Sequence, residues 1–267
     1  RNVAAIDAGA AEVTGIEVPK EWAELREDAP EDLSGMPAVV RNILIPINRQ
    51  KGDDLPVSAF TENVDGTIEL GLTAYEKRGI AVKLPKWHAD KCIQCNKCSL
   101  VCPHAVIRPY LLDEVEKADA PAGFTTIPAN GKAKGLHFAL AISDEDCTSC
   151  GSCAESCPVN ALEMVPALAD KSGRECFDYA LSLSDKGDIF DPHTIKGSQF
   201  RRPLLEFSAA CAGCGETPYA KLLTQLFGES AYWANATGCS QAWGAAMPGI
   251  PYTVNRRGFG PAWTNSL

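Results

Sequence analysis

Cys92-Ile93-Gln94-Cys95-Asn96-Lys97-Cys98-Ser99-Leu100-Val101-Cys102-Pro103 is one half of the pattern that decides this fold. Cys147-Thr148-Ser149-Cys150-Gly151-Ser152-Cys153-Ala154-Glu155-Ser156-Cys157-Pro158 is the other half. Both read Cys-x2-Cys-x2-Cys-x3-Cys-Pro, offset by 55 residues from Cys92 to Cys147. Three thiolates from one tight loop each reach a different iron of a cubane, and the fourth cysteine of each run ligates the other cluster of a two-cluster module. That rule assigns Cys92, Cys95, Cys98 and Cys157 to one [4Fe–4S] cluster, and Cys147, Cys150, Cys153 and Cys102 to the other. Zinc sites pair separated Cys-x2-Cys units instead of closing four cysteines in so short a run. Disulfides are a poor use of closely spaced cysteines in a reducing compartment. The doubled run therefore predicts electron transfer.

Working outward, the repeat extends beyond the cysteines. Ile80–Leu84 before the first run and His137–Ile142 before the second read as short strands. After each Cys-Pro comes a short apolar stretch, Val106-Ile107 and Ala161-Leu162, which reads as a helix opened by proline in its first turn. Two copies of strand, cysteine loop and helix predict a pseudo-twofold module with few large apolar residues, so that its clusters serve as its core. Residues 113–135 between them, acidic and then Gly/Pro-rich, read as an inserted loop.

Upstream, residues 1–29 are Ala-rich and acidic, with an apolar Ile16-Glu17-Val18 and a helical turn at Trp22–Leu25, too little to bury a core of their own. Met36, Val39, Val40, Ile43, Leu44 and Ile47 repeat at helical spacing, and the chain then becomes loop-like around Gly52–Pro56 and Asn63–Gly66. Downstream of about Arg201 the pattern turns to alternating α and β. Pro203–Ser208 reads as a strand, Tyr219–Phe227 as an amphipathic helix with Leu222, Leu223 and Leu226 on its apolar side, and Ala231–Ala236 as a second strand. This is the opening of a parallel α/β domain.

Composition excludes several classes. A formal net charge of −9, with no basic run longer than Arg201-Arg202 or Arg256-Arg257, argues against nucleic acid. No apolar run approaches the roughly 20 residues of a membrane helix. Arg1-Asn2-Val3-Ala4 lacks the profile of a secretion signal, so a cytoplasmic protein is expected. The chain opens without Met and stops at Asn265-Ser266-Leu267 without a terminating motif, and reads as a piece of something longer.

Four of the twelve cysteines lie outside the two runs. Cys211-Ala212-Gly213-Cys214 and the distant Cys239 suggest a further cluster or a zinc with one ligand missing. Spacing leaves two options open: Cys176 completes the set, or the fourth ligand lies beyond Leu267 and Cys176 is a buried small hydrophobe. Cys176 has no second cysteine nearby and no Gly-rich turn, whereas Cys211–Gly215 has both. His88, His104, His137 and His193 show no ligand spacing, and Gly258-Phe259-Gly260 is too short for a nucleotide loop.

These strings resemble the pyruvate:ferredoxin (flavodoxin) oxidoreductase family. The resemblance rests on Leu55–Phe60, Tyr75–Ala81, Cys92–Asn96, Cys102–Pro109, Cys211–Tyr219, Thr237–Ser240 and Gly260–Trp263, and so covers nearly the whole chain. It implies that residues 1–29 end a preceding domain, 30–71 form a small linking domain, and 72–190 form an α+β ferredoxin-like domain with two [4Fe–4S] clusters. Residues 191–267 would then start an α/β thiamine-diphosphate-binding domain. It implies the conversion of pyruvate and coenzyme A to acetyl-CoA and CO2, with electrons passed singly to ferredoxin or flavodoxin by a homo-oligomer. Cys211, Cys214 and Cys239 would hold a proximal cluster whose fourth ligand lies downstream, and Glu216 would stand beside the thiamine diphosphate. The Mg2+ and diphosphate motif is absent, so this stretch alone is expected to be inactive. Two alternatives are a stand-alone ferredoxin-type carrier and the same region of an oxidoreductase for another 2-oxoacid.

Overall fold

The computed structural model describes residues 2–24, 33–167, 172–244 and 249–265. The chain forms two compact units, Arg1–Pro37 and Ala38–Leu267. The first contains the helix Asn2–Ala11 and a 3-10 turn at Lys20–Glu24, with no buried residue in either. That turn is the one expected near Trp22, and Leu25 lies outside the described residues.

The second unit opens with a helical stretch, Val40–Leu44 in wide π-type turns running into Ile45–Asn48. Its apolar repeat buries Val40, Ile43 and Leu44, as the sequence periodicity expects. The next residues make two antiparallel ladders from the repeated module. Strand β1 (Lys83–Trp87) precedes the first cysteine run and β2 (Ile107–Leu112) follows it. After the short β3 (Ile127–Pro128), strand β4 (His137–Ile142) precedes the second run and β5 (Leu162–Pro166) follows it. β1 pairs with β5, Trp87 opposite Leu162, while β2 pairs with β4, Ile107 opposite Ile142. Each ladder thus joins the strand before one run to the strand after the other.

The 55-residue repeat is legible in single hydrogen bonds. His88 N–H donates to the Ala161 carbonyl at 2.9 Å, and Ser143 N–H donates to the Val106 carbonyl at 2.9 Å. Ala105 and Asn160, at equivalent places, both take the left-handed conformation (φ 56° and 50°) that turns the chain from its cysteine into its strand.

Four local expectations are corrected. The stretches after Cys-Pro are strands, because Ile107–Leu112 and Leu162–Pro166 find ladder partners. The helices lie inside the runs, at Lys97–Val101 and Ser152–Glu155, and the prolines follow their ends, where a ring that cannot continue a helix is suited. The first strand starts at Lys83, not Ile80, because its partner β5 begins pairing there. The inserted segment is ordered: Asp113 and Glu116 form a capping box on the helix Glu114–Ala118, and β3 adds to the edge of β4. Finally, Pro203–Ser208 makes only an isolated bridge, Leu205 to Tyr252, instead of a strand.

A core of buried apolar residues runs through the module, and it includes Cys102, Cys147 and Cys153 beside Phe138, Leu140 and Leu162. A second cluster gathers Leu205, Ala220, Trp243, Ile250 and Tyr252. Strands β6 (Tyr232–Asn235) and β7 (Ala262–Asn265) pair in parallel beside it, as an α/β opening requires. The expected helix spans Thr217–Phe227, but its buried face is not the expected one: Leu222 and Leu226 are half-buried and Leu223 is exposed. Thr217, Ala220, Lys221, Thr224 and Gln225 are buried, while Tyr219, Leu223 and Phe227 are exposed. The reason is polar: on the inner side the Lys221 ammonium donates to the Ser99 and Cys102 carbonyls, and the Thr224 hydroxyl accepts from Leu204 N–H at 3.0 Å.

Candidate metal centre

The crossing of the ladders decides which cysteines meet. β5 lies beside β1, so Cys157, just ahead of β5, comes to the loop that follows β1. One cavity is accordingly lined by Cys92, Cys95, Cys98 and Cys157. By the same pairing of β2 with β4, Cys102 comes to the second loop, and the other cavity is lined by Cys102, Cys147, Cys150 and Cys153. Trp87, Phe138, Leu140 and Leu162 wall the first; Val106, Ile107 and Met164 wall the second. Among the described residues, no three His, Cys, Asp or Glu side chains close on one point as ligands of a single ion do.

The loops wrap the cavities by repeated backbone conformations. Gln94 and Asn96 (φ 57° and 62°) match Ser149 and Gly151 (φ 60° and 77°), flanking the second cysteine of each run. Successive left-handed and right-handed residues aim N–H groups into a concavity that suits an anion. Gln94 N–H reaches Cys92 Sγ at 3.4 Å, Ser149 N–H reaches Cys147 Sγ at 3.4 Å, and Ala161 N–H reaches Cys157 Sγ at 3.2 Å. Burial, joined by Cys102 and Cys150, pushes the Cys147 thiol up to about 11 and that of Cys153 up to about 12. Thiols so placed stay protonated unless a cationic core takes the proton's place. Four cysteines round a lined cavity, with N–H donors on sulfur, fit an iron–sulfur cluster and its charge.

Several supporting side chains were not legible in the spacing. Buried Gln94 donates Nε2–H to the Pro128 carbonyl (2.8 Å) and accepts from Asn130 N–H (2.9 Å), so the inserted segment pins the first loop. Asn96 donates to the Lys196 carbonyl at 2.9 Å, and Ser149 Oγ pins the second loop to both backbone groups of Lys83. His104 is buried and pairs through Nδ1 with the Ser208 carbonyl at 3.1 Å; burial lowers its pKa. Arg108 and Glu206 form a buried ion pair.

Lys221 is fully buried. Its ammonium donates to the Ser99, Leu100 and Cys102 carbonyls, the last two at 3.2 and 3.1 Å. Burial lowers it to about 8, opposed by the charges of Cys102 and Cys98. The signal for it was a polar stripe, Thr217, Lys221, Thr224 and Gln225, at helical spacing within an otherwise apolar helix.

In the third set, Cys214 N–H bonds to the Cys211 carbonyl at 3.0 Å, closing a turn through Gly213 (φ 72°). A Cβ on Gly213 would lie 3.7 Å from Cys150 Cβ, so this loop packs against the second cavity. Cys239 opens the helix Cys239–Gly244, whose Trp243 indole N–H donates to Glu216 Oε2 at 2.9 Å. That bond ties the Cys211–Gly215 loop to the Cys239 helix. Cys176 sits on the helix Ser172–Ser182, half-buried; burial raises its pKa, with Glu175 and Asp144 the charges acting on it. None of the twelve cysteines forms a disulfide.

Two family models match the chain: a domain of unknown function at residues 26–81 and a 4Fe–4S dicluster domain at residues 91–161. The chain is 52% identical over 268 residues to a pyruvate-flavodoxin oxidoreductase of Enterobacter agglomerans, covering 100% of this chain and 23% of that protein. It is 52% identical over 270 residues to a pyruvate:ferredoxin oxidoreductase of Moorella thermoacetica, again 100% and 23%. It is also 52% identical over 231 residues to a pyruvate dehydrogenase [NADP(+)] of Cryptosporidium parvum, covering 85% of this chain and 12% of that one. The chain thus spans under a quarter of the length of these relatives. Among the described residues no helix is long and apolar enough to cross a membrane.

Proposed function

A homologue, over its whole length, of one stretch of the pyruvate-flavodoxin and pyruvate:ferredoxin oxidoreductases, this chain is, we propose, the electron-relay region of an enzyme that oxidises pyruvate with coenzyme A to acetyl-CoA and CO2. The observation that carries the reading is the grouping of eight cysteines round two cavities, with the Cys211–Cys214 loop against the second. Clusters bound there supply one-electron acceptance, which a two-electron oxidation needs if its product is a one-electron carrier.

The chain's own residues give the relay a direction. Cys150 faces the Gly213 turn, so the second site adjoins the segment carrying Cys211, Cys214, Glu216 and Cys239. We assign Cys211, Cys214 and Cys239 to a proximal cluster with a ligand from outside this chain, and Glu216 to the neighbourhood of thiamine diphosphate and Mg2+. In that assignment residues 191–267 begin a thiamine-binding domain, 72–190 form the ferredoxin-like domain, 30–71 a linking domain and 1–29 the end of a preceding one.

The first site has an exposed rim of its own. Ile93, 50% exposed, lines it, and Lys86, Lys91 and Lys97 stand exposed nearby. Between Lys86 and Lys97 three exposed lysines stand against one acid, Asp90, whereas in Ser143–Cys157, which carries Asp144, Glu145, Asp146 and Glu155, Glu145 pairs with Arg174 and Asp146 is buried against Lys77. An acidic ferredoxin or flavodoxin is steered to the basic rim.

The test is anaerobic. Pyruvate with coenzyme A should bleach the cluster absorbance of the full-length protein, and oxidised ferredoxin or flavodoxin should restore it. Bleaching only by a different 2-oxoacid would transfer the activity to that substrate. A protein bleached by dithionite but by no 2-oxoacid would be a stand-alone carrier, and the enzyme reading would fall.

A further inference from the structure

Lys221 stands where the two metal sites meet. Its side chain comes from the helix Thr217–Phe227, which begins directly after the Cys211–Glu216 loop. Its ammonium is enclosed by the carbonyls of Ser99, Leu100 and Cys102, which close the short helix Lys97–Val101. Cys98 on that helix lines the first cavity, and Cys102 at its end lines the second. One buried cation therefore sits on the five-residue bridge between thiolates of both sites.

Its hydrogen-bond partners are all neutral carbonyls. Arg108, the other buried cation nearby, is already paired with Glu206, whereas no carboxylate among the described residues pairs with Lys221. A burial this complete is expensive for an ammonium, and capping a five-residue helix does not require it, since water or a neutral donor would serve. What the position adds is positive charge beside two sites whose ligand shells are anionic. Each one-electron reduction adds a unit of negative charge to a site, and a fixed cation in a desolvated setting favours the more negative state.

We propose that Lys221 is a positioning residue for electron transfer, a buried counter-charge that holds the reduction potentials of both cluster sites up together. The proposal rests on the electron-relay reading above. It also gives the downstream segment a function in the module, because the charge is delivered by the element that follows Cys214. The two sites are then tuned by one residue contributed from outside the cysteine repeat.

Three variants of the full-length protein test it: Lys221→Gln, which keeps N–H donors and loses the charge, Lys221→Met, which loses both, and Lys221→Arg, which keeps both. The readout is the midpoint potential of each cluster in a dithionite titration followed by electron paramagnetic resonance, with iron and sulfide measured alongside. Because dithionite is the reductant, the result does not depend on pyruvate being the substrate; absence of clusters from the wild type would instead defeat the electron-relay reading. Lys221→Gln and Lys221→Met should shift both midpoints to more negative potential at unchanged iron content, and Lys221→Arg should stay near the wild type. If Gln and Met fail to retain iron while Arg retains it, the charge requirement is upheld by cluster content instead. Unchanged midpoints in a fully loaded Lys221→Gln protein would overturn the proposal. So would loss of iron in all three, which would mean that the site demands the shape of lysine and not its charge.

Discussion

Glu206→Gln isolates what the buried ion pair contributes to seating the second site. Arg108 leaves β2 and is 5% exposed; its Nη2 meets Glu206, also 5% exposed, and its Nε donates to the Ala105 carbonyl at 2.7 Å. Its guanidinium carbon lies 5.3 Å from the ring centres of both Phe177 and Phe207. Burial acts to lower the Arg108 pKa, but Glu206 outweighs it and raises the value. The pair matters to the site because Glu206 precedes Phe207, whose N–H bonds the His104 carbonyl, and Ser208, whose carbonyl meets His104 Nδ1. Glutamine preserves shape and leaves a buried guanidinium without a counter-charge. Removing one partner of such a pair costs about 3–5 kcal/mol. At about 2–4 °C per kcal/mol for a unit of this size, the melting temperature should fall by about 6–20 °C. The assay is an anaerobic melt of the full-length protein followed by cluster absorbance, which reports the unit that carries the two sites. A companion double variant, Arg108→Met with Glu206→Leu, removes both charges and should recover most of the loss, since apolar replacement of a buried pair is often neutral. A fall of under about 2 °C in Glu206→Gln would refute the reasoning, as would a double variant no better than the single one.

Three further outcomes are expected. Cys95→Ser and Cys157→Ser should perturb the same reduced-cluster signal, and Cys150→Ser and Cys102→Ser the other; a Cys157 variant that behaves like Cys150 would disprove the crossed grouping. Cys176→Ser should keep every cluster signal of the full-length enzyme, whereas Cys239→Ser should lose or badly perturb one, and the reverse result would move the proximal ligand to Cys176. Glu116 is raised by burial but held down to about 2 by bonds from Lys186 and Ser184. Its stabilisation is therefore present above the ordinary glutamate value and fades as pH falls from about 4.5 toward about 2. Glu116→Gln should melt below the wild type at pH 7, with the gap narrowing on acidification; a gap that widens would show that the carboxylate is not the stabilising form.

Local spacing sets the two cysteine runs, their 55-residue offset, the strand at His137–Ile142 and the helical repeat that buries Val40, Ile43 and Leu44. Each of these is written in local spacing, which a chain carries whatever its neighbours do. Other features depend on what lies across the fold. Val106-Ile107 and Ala161-Leu162 became strand starts because β4 and β1 offered ladder partners, and no local rule records a partner 30 to 80 residues away. Helix Thr217–Phe227 turned its polar stripe inward because carbonyls of the Cys98–Cys102 bridge awaited Lys221, a demand made by a distant segment. Gln94, Asn96 and Arg108 are likewise ordinary residues in sequence. They become supports of the two sites because Asn130, Lys196 and Glu206 reach them through space, where burial makes an unpaired polar group costly and a partnered one stable.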